Sequence, residues 1–366
     1  MLYKGKMAVA VTATALIAIQ SAAAADTAED PLLSGALSVE VQNDNLFDAD
    51  DGSEANDLYA TIEAQFRLRL SKGLSLQLGL TAEPVADPVP GVDRVFEDHG
   101  AYVDTLLLAY ESDGWFAYGG KFTPAFGIDP DLVPGLYGDT LSANYELVER
   151  LGIGTGYEWE IPEAATISVQ AALFKRDTTA LSNSVGTKRG RLRESDGGPG
   201  NTSGLESFAL AVDVKNLQVA PALSVRASAL RQAPGVGDAD EQWAYGLGGV
   251  YELDLGNDTF LMPMVDFIRS TDAIGVESPT SIGGAAETYL TAGLGLVRGP
   301  WNAAVTGGRR TDSQPGQPDT DDTFVQLSGG YDFENGIGVQ AGWLRIDQAG
   351  LVTQTVGGLV SYGIEF

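Results

Sequence analysis

Residues 57–81 read DLYATIEAQFRLRLSKGLSLQLGLT, and their alternation decides the fold. Ala60, Ile62, Ala64, Phe66, Leu68 and Leu70 fall on one side, with Thr61, Glu63, Gln65, Arg67 and Arg69 on the other. A helical period would scatter these charges round the axis. A period of two sorts them, as in a strand whose faces meet different media. Ser71-Lys72-Gly73 then supplies a tight turn, after which Leu74, Leu76, Leu78 and Leu80 alternate with Ser75, Gln77, Gly79 and Thr81.

Outward from this hairpin the same alternation predicts strands near 34–43, 57–70, 74–81, 100–112, 114–122, 147–160, 164–176 and 204–215. It continues at 219–232, 241–254, 258–270, 284–298, 301–311, 322–333, 336–347 and 352–366, sixteen in all. The stretch 43–56 between the first two strands is acidic and reads as a loop. Short turns alternate with mostly longer polar loops, seven against eight, so both ends of the strand array fall at the short-turn rim. Left open, such a meander would expose two edges, and open sheets rarely exceed about ten strands; closure removes the edges. The expected fold is therefore all-β, a transmembrane antiparallel up-and-down barrel, most simply of 16 strands. Its lipid-facing sets are expected at Leu74/Leu76/Leu78/Leu80, Phe116/Tyr118, Ile153/Tyr157/Trp159, Phe208/Leu210/Val212, Trp243/Tyr245/Leu247 and Trp301/Val305.

The ends of the chain agree with export. Lys4 and Lys6, an apolar run from Met7 to Ile19 and Ala23-Ala24-Ala25 form a secretory signal peptide over 1–25, followed by a short lead-in at 26–33 and the barrel at 34–366. No later run approaches the ~18 uninterrupted apolar residues of a transmembrane helix. Removing 1–25 takes away two lysines and no acids, leaving 20 basic against 50 acidic residues, a formal charge of −30 that argues against nucleic acid as a partner. Cysteine is absent, so no disulfide supports the fold.

At the terminus Val360, Tyr362, Ile364 and Phe366 share one face and Ser361, Gly363 and Glu365 the other. The signal peptide, the sixteen-strand meander and this final aromatic strand together resemble the Gram-negative outer-membrane porins over nearly all of the mature chain. Gly120-Lys121-Phe122-Thr123-Pro124-Ala125-Phe126-Gly127 is similar to a stretch of the phosphate-selective branch. The resemblance implies an outer-membrane location and a homotrimer. It also implies contact with lipid and lipopolysaccharide, and recognition by the assembly machinery through Tyr362, Ile364 and Phe366.

In that family the third long loop folds inward. Residues 123–146 suit such a role, with Pro124, Pro130 and Pro134 stiffening the backbone and Phe126, Leu132, Val133, Leu136 and Tyr137 available to pack on the inner wall. The loop carries Asp129, Asp131 and Asp139, with Lys121 on the strand leading into it. Strand phase places Arg67, Arg69, Arg226 and Arg310 in the lumen together with Glu40, Glu63, Asp104, Asp213, Asp266 and Asp332. An acidic loop facing a basic wall would set up a transverse field; the bland alternative is that these charges only solvate the lumen. Lys175, Arg176, Lys188, Arg189, Arg191 and Arg193 in the fourth loop form either an anion-attracting vestibule or a surface loop paired with acidic neighbours or lipopolysaccharide phosphates.

The function expected is a water-filled pore for small hydrophilic solutes and ions, weakly cation-preferring because of the net charge. An anion- or phosphate-selective porin is one alternative. A barrel enzyme such as a lipid hydrolase is another, but with His99 the only histidine and no cysteine it lacks the usual nucleophile–base pairs. No cofactor or metal is expected. The acidic clusters Asp48, Asp50, Asp51 and Glu54, and Asp319, Asp321 and Asp322, could hold divalent cations at the outer surface, but the first lacks EF-hand spacing.

Overall fold

The computed structural model describes residues 31–238, 240–273 and 281–366; the expected signal peptide and most of the expected lead-in lie outside the described residues. Sixteen antiparallel strands form the wall. The first eight are β1 (Leu33–Ala49), β2 (Ala55–Ser71), β3 (Leu74–Pro84), β4 (His99–Ser112), β5 (Trp115–Phe122), β6 (Arg150–Ile161), β7 (Ala165–Arg176) and β8 (Ser207–Lys215). Then come β9 (Leu223–Gln232), β10 (Gln242–Tyr251, continued by Leu253–Gly256), β11 (Thr259–Ala273) and β12 (Ser281–Arg298). The last four are β13 (Trp301–Ser313), β14 (Thr320–Asp332), β15 (Ile337–Gln348) and β16 (Leu351–Glu365). Each strand pairs with the next, and β16 returns to β1 from Ala36↔Glu365 to Ala49↔Thr353, which closes the barrel.

Turn chemistry fixes the short-turn rim. Asn257 and Asp258 both take left-handed φ of 54°, the conformation of a two-residue hairpin turn whose twist matches its strands. Trp115, Tyr157 and Trp159 meet edge to face near this rim at 4.7 and 4.6 Å, and Trp301, Tyr331 and Phe333 do so at 4.8 Å each. Phe208 and Trp243 form a second cluster near the long-loop rim. Aromatic side chains at both ends of an apolar outer band are what a bilayer-spanning barrel needs at its two interfaces.

Two expectations need correction. The stretch 43–56 is mostly strand: β1 runs to Ala49 and β2 starts at Ala55, because Asn43 and Asn56 exchange side-chain hydrogen bonds and extend the ladder. Phe116 and Tyr118 point inward, not to lipid. Phe116 is 7% exposed while its neighbour Trp115 is 58% exposed. The inner face of β6 makes room for them, since a Cβ on Gly154 would lie 2.2 Å from Tyr118 and one on Gly156 would lie 2.2 Å from Phe116.

Phe366 completes the closure. Its N–H and C=O exchange hydrogen bonds with Gly35 at 3.0 and 2.9 Å, and its ring lies 6.1 Å from Phe66 on β2. Deleting Phe366 is expected to lower the yield of folded protein in the outer membrane, measured by heat-modifiable migration. Normal yield of the truncated chain would remove the terminal residue from the assembly signal.

Candidate functional site

Residues 123–149 leave β5, cross the barrel interior and return to β6. Asp129 opens a short 3₁₀ turn (Pro130–Leu132), its carboxylate accepting from the Asp131 N–H at 3.1 Å with Pro130 at the first position. Two further 3₁₀ turns follow, Gly138–Thr140 and Ser142–Tyr145. Wall side chains bind the loop backbone along its path. Ser228 accepts from the Gly127 N–H at 3.1 Å, and Asp266 from the Ile128 N–H at 3.3 Å. Thr306 and Gln326 both donate to the Pro134 carbonyl, and Ser328 accepts from the Leu136 N–H. At the tip the Tyr137 hydroxyl donates to Asp44 on β1 at 2.5 Å.

Apolar burial accounts for the loop's route. Phe126, Leu141, Tyr145 and Leu147 pack against Phe174, Leu230, Ile268 and Tyr289 of the wall, so one side of the interior is a solid core. The Tyr145 hydroxyl donates to Asp266 at 2.7 Å. On its other side the loop faces the wall around β1–β4, Asp131 lying within electrostatic range of Glu63.

That wall is acidic. Asp131, Glu40, Asp104 and Glu83 all lie within electrostatic range of Glu63. Asp104 reaches the lumen through a bulge in β4, where the register jumps from Gly79↔Thr105 to Leu80↔Val103, and it accepts from the Thr81 hydroxyl at 2.8 Å. Among the described residues no basic side chain pairs with Glu40 or Glu63. Asp129, at the tip of the first turn, has its carboxyl pushed above the usual range by burial; the Asp131 N–H and Arg226 oppose that shift.

The basic candidates are disposed differently from expectation. Lys121 is 1% exposed and offers nothing to the lumen. Its ammonium lies 2.6 Å from Glu149, 3.0 Å from Asp177 and 2.9 Å from the Leu181 carbonyl. Arg67 and Arg69 share the inner face of β2 with Glu63 but sit toward the short-turn rim, Arg67 about 13 Å along the strand from Glu63. Arg67 pairs with Glu111 at 3.3 Å. Arg226 is held by Asp213 at 2.7 Å, and Arg310 by Asp322 at 2.7 Å and Asp312 at 3.2 Å. Asp131 therefore faces Glu63, with Glu40 and Asp104 close by, whereas Asp129 lies within electrostatic range of Arg226 and Asp139 of Tyr59, farther up β2; the arginine pair lies below Glu63.

Most fourth-loop bases are spent on backbone carbonyls: Lys175 on Ser203, Arg176 on Pro199, Lys188 on Ser184 and Arg191 on Thr178. Arg189 chelates Glu149 at 2.7 and 2.6 Å and lies 3.7 Å over the Tyr102 ring, tying the fourth loop to the base of the third. The outer acids close turns and ion pairs. Asp48 accepts from Gln354, Asp50 from the Val352 N–H, and Asp321 pairs with Arg309. His99 Nε2 sits 3.0 Å from the Ala60 carbonyl. Among the described residues no three His, Cys, Asp or Glu side chains gather as a metal site.

No protein-family model matches the sequence, and neither does any curated protein. Solved structures do match. The outer membrane channel DcaP of Acinetobacter baumannii superimposes with a TM-score of 0.56 at 11% identity, covering 91% of this chain and 96% of that one. OpdK, an outer membrane protein of Pseudomonas aeruginosa, gives 0.51 at 8% identity over 91% and 99%. In-vitro folded OmpT, an outer membrane protein of Vibrio cholerae, gives 0.51 at 13% identity over 93% and 100%. At such identities the likeness is one of fold. The chain is a closed antiparallel β-barrel of sixteen strands, the fold that these outer-membrane proteins share.

Proposed function

We propose that the protein is a porin, a water-filled channel for passive diffusion of small hydrophilic solutes and ions, with a preference for cations and no enzymatic activity of its own. The carrying observation is that Asp131 of the third loop lies within electrostatic range of Glu63, as do Glu40 and Asp104, while Arg226 and Arg310 are tied to carboxylates. Acidic side chains beside a narrow path raise the local concentration of cations and depress that of anions. A phosphate path would need a ladder of accessible bases, and Lys121, the base within the likeness to that branch, is buried. The setting proposed is a homotrimer in contact with outer-membrane lipid and lipopolysaccharide, inserted by the assembly machinery; one related fold, OmpT of Vibrio cholerae, has been solved in a trimer form.

Changing Asp129, Asp131 and Asp139 to asparagine should lower the cation-to-anion permeability ratio by about two- to threefold, read as a shift of the reversal potential in a KCl gradient. Unmodified protein should lose part of its cation preference on acidification. Because the Asp129 carboxyl is raised, that loss should begin above the usual aspartate range of about 3.9, and Asp129→Asn should flatten it. A reversal potential unmoved by the three substitutions would reject the loop as the selectivity element.

A further inference from the structure

We propose that five glycines on the inner wall, Gly248, Gly293, Gly308, Gly342 and Gly357, are positioning residues that set how deep the third loop sits and so how wide the pore is. They lie on β10, β12, β13, β15 and β16, each on the inward phase of its strand. A Cβ built on Gly248 would lie 2.4 Å from Ile128, on Gly293 2.8 Å from Pro134, and on Gly308 3.0 Å from Leu141. On Gly342 it would lie 3.2 Å from the Leu136 Cβ, and on Gly357 1.9 Å from the Tyr137 hydroxyl. Separations below 3 Å cannot be accommodated without moving one partner.

None of the five has a left-handed backbone, so conformational freedom is not the reason for glycine at these places. Glycine in a strand interior weakens the strand, and its recurrence on the inner face marks close approach of another segment. Here that segment is the third loop, whose side chains Ile128, Pro134, Leu136, Tyr137 and Leu141 fill the space. The wall beside the glycines carries the groups that bind it: Ser228, Asp266, Thr306, Gln326 and Ser328, all on Gly127, Ile128, Pro134 or Leu136. Glycine lets the loop in and the neighbouring polar group holds it. The loop is accordingly a fixed part of the wall, not a gate, and a large side chain at Gly293 or Gly357 displaces it toward the remaining lumen.

The inference rests on the channel reading for its consequence but not for its geometry, so two readouts separate the two. The chain has no cysteine, which makes Leu136→Cys/Gly342→Cys a clean pair. The 3.2 Å separation is close to the roughly 3.5–4.5 Å between Cβ atoms of a disulfide. Folded double variant should lose its free thiols on mild oxidation, and in planar bilayers the oxidised and reduced forms should conduct alike. Free thiols after oxidation, or a conductance changed by the bond, would overturn the fixed seat. Separately, Gly357→Leu should reduce single-channel conductance by about twofold, and adding Tyr137→Ala should restore it. Gly358→Leu, on the opposite face with nothing nearer than 3.9 Å to a built Cβ, is the control. Wild-type conductance from folded Gly357→Leu would also overturn the proposal. Should Gly357→Leu not fold, or the unmodified protein not conduct, the thiol assay still decides the seat, and only the latter result bears against the channel.

Discussion

Lys121→Met should destabilise the barrel by about 3–5 kcal/mol, the loss expected when one member of a buried ion pair is removed and its partners stay charged. Asp177 is the partner that matters most, with a side chain only 2% exposed, and Glu149 is left with Arg189 alone. Lys121 is the penultimate residue of β5, Glu149 precedes β6, and Asp177 and Arg189 lie in the fourth loop, so one ammonium ties the root of the third loop to its neighbour. Urea unfolding followed by heat-modifiable migration gives the magnitude. Removing the carboxylates as well, in Lys121→Met/Glu149→Gln/Asp177→Asn, should recover much of the loss, since replacing a whole buried network is milder than breaking it. A single variant as stable as the parent would show the cluster to be incidental.

The second large effect is on selectivity. Glu40→Lys/Glu63→Lys replaces two acidic side chains by two cations on the wall facing the third loop, and should lower the cation-to-anion permeability ratio by about tenfold and invert the sign of the reversal potential. Glu40→Gln/Glu63→Gln should move it part of the way. Distance explains why these residues should outweigh charges at the rims: exposed charges are screened within about 8 Å at physiological salt, and only groups beside the narrow path act on every ion. Lysine variants that fold and keep the parent's reversal potential would place the selectivity elsewhere in the lumen.

How much of this was legible in the sequence follows from what each feature depends on. The strands were readable because lipid and water impose opposite demands on alternate residues, as in Phe66, Leu68 and Leu70 against Arg67 and Arg69. Turn positions were readable because Gly73 or the Asn257-Asp258 pair takes a backbone conformation that few residues tolerate. The phase of β5 was misread because an inward aromatic is unexpected in a watery lumen; Phe116 and Tyr118 turn in because Gly154 and Gly156 on another strand leave space for them. The inner-wall glycines carried a signal, recurrence on the inward phase of several late strands, that alternation alone does not weigh.

The composition of the lumen could not be read locally. Which wall faces Asp131 depends on a loop whose Leu136 binds Ser328, 192 residues away in the chain. Lys121 looked like a pore base because its partners Glu149 and Asp177 lie in later loops. The fourth-loop bases looked like a charged surface because hydrogen bonds to backbone carbonyls leave no trace in a list of charges.

The most direct test is the current through single molecules of purified, folded protein in a planar bilayer under a KCl gradient. Discrete conductance steps with a reversal potential on the cation side are the predicted result. Folded protein that gives no steps, or steps that reverse on the anion side, would contradict a cation-preferring channel in which the third-loop acids and Glu40, Glu63 and Asp104 attract cations.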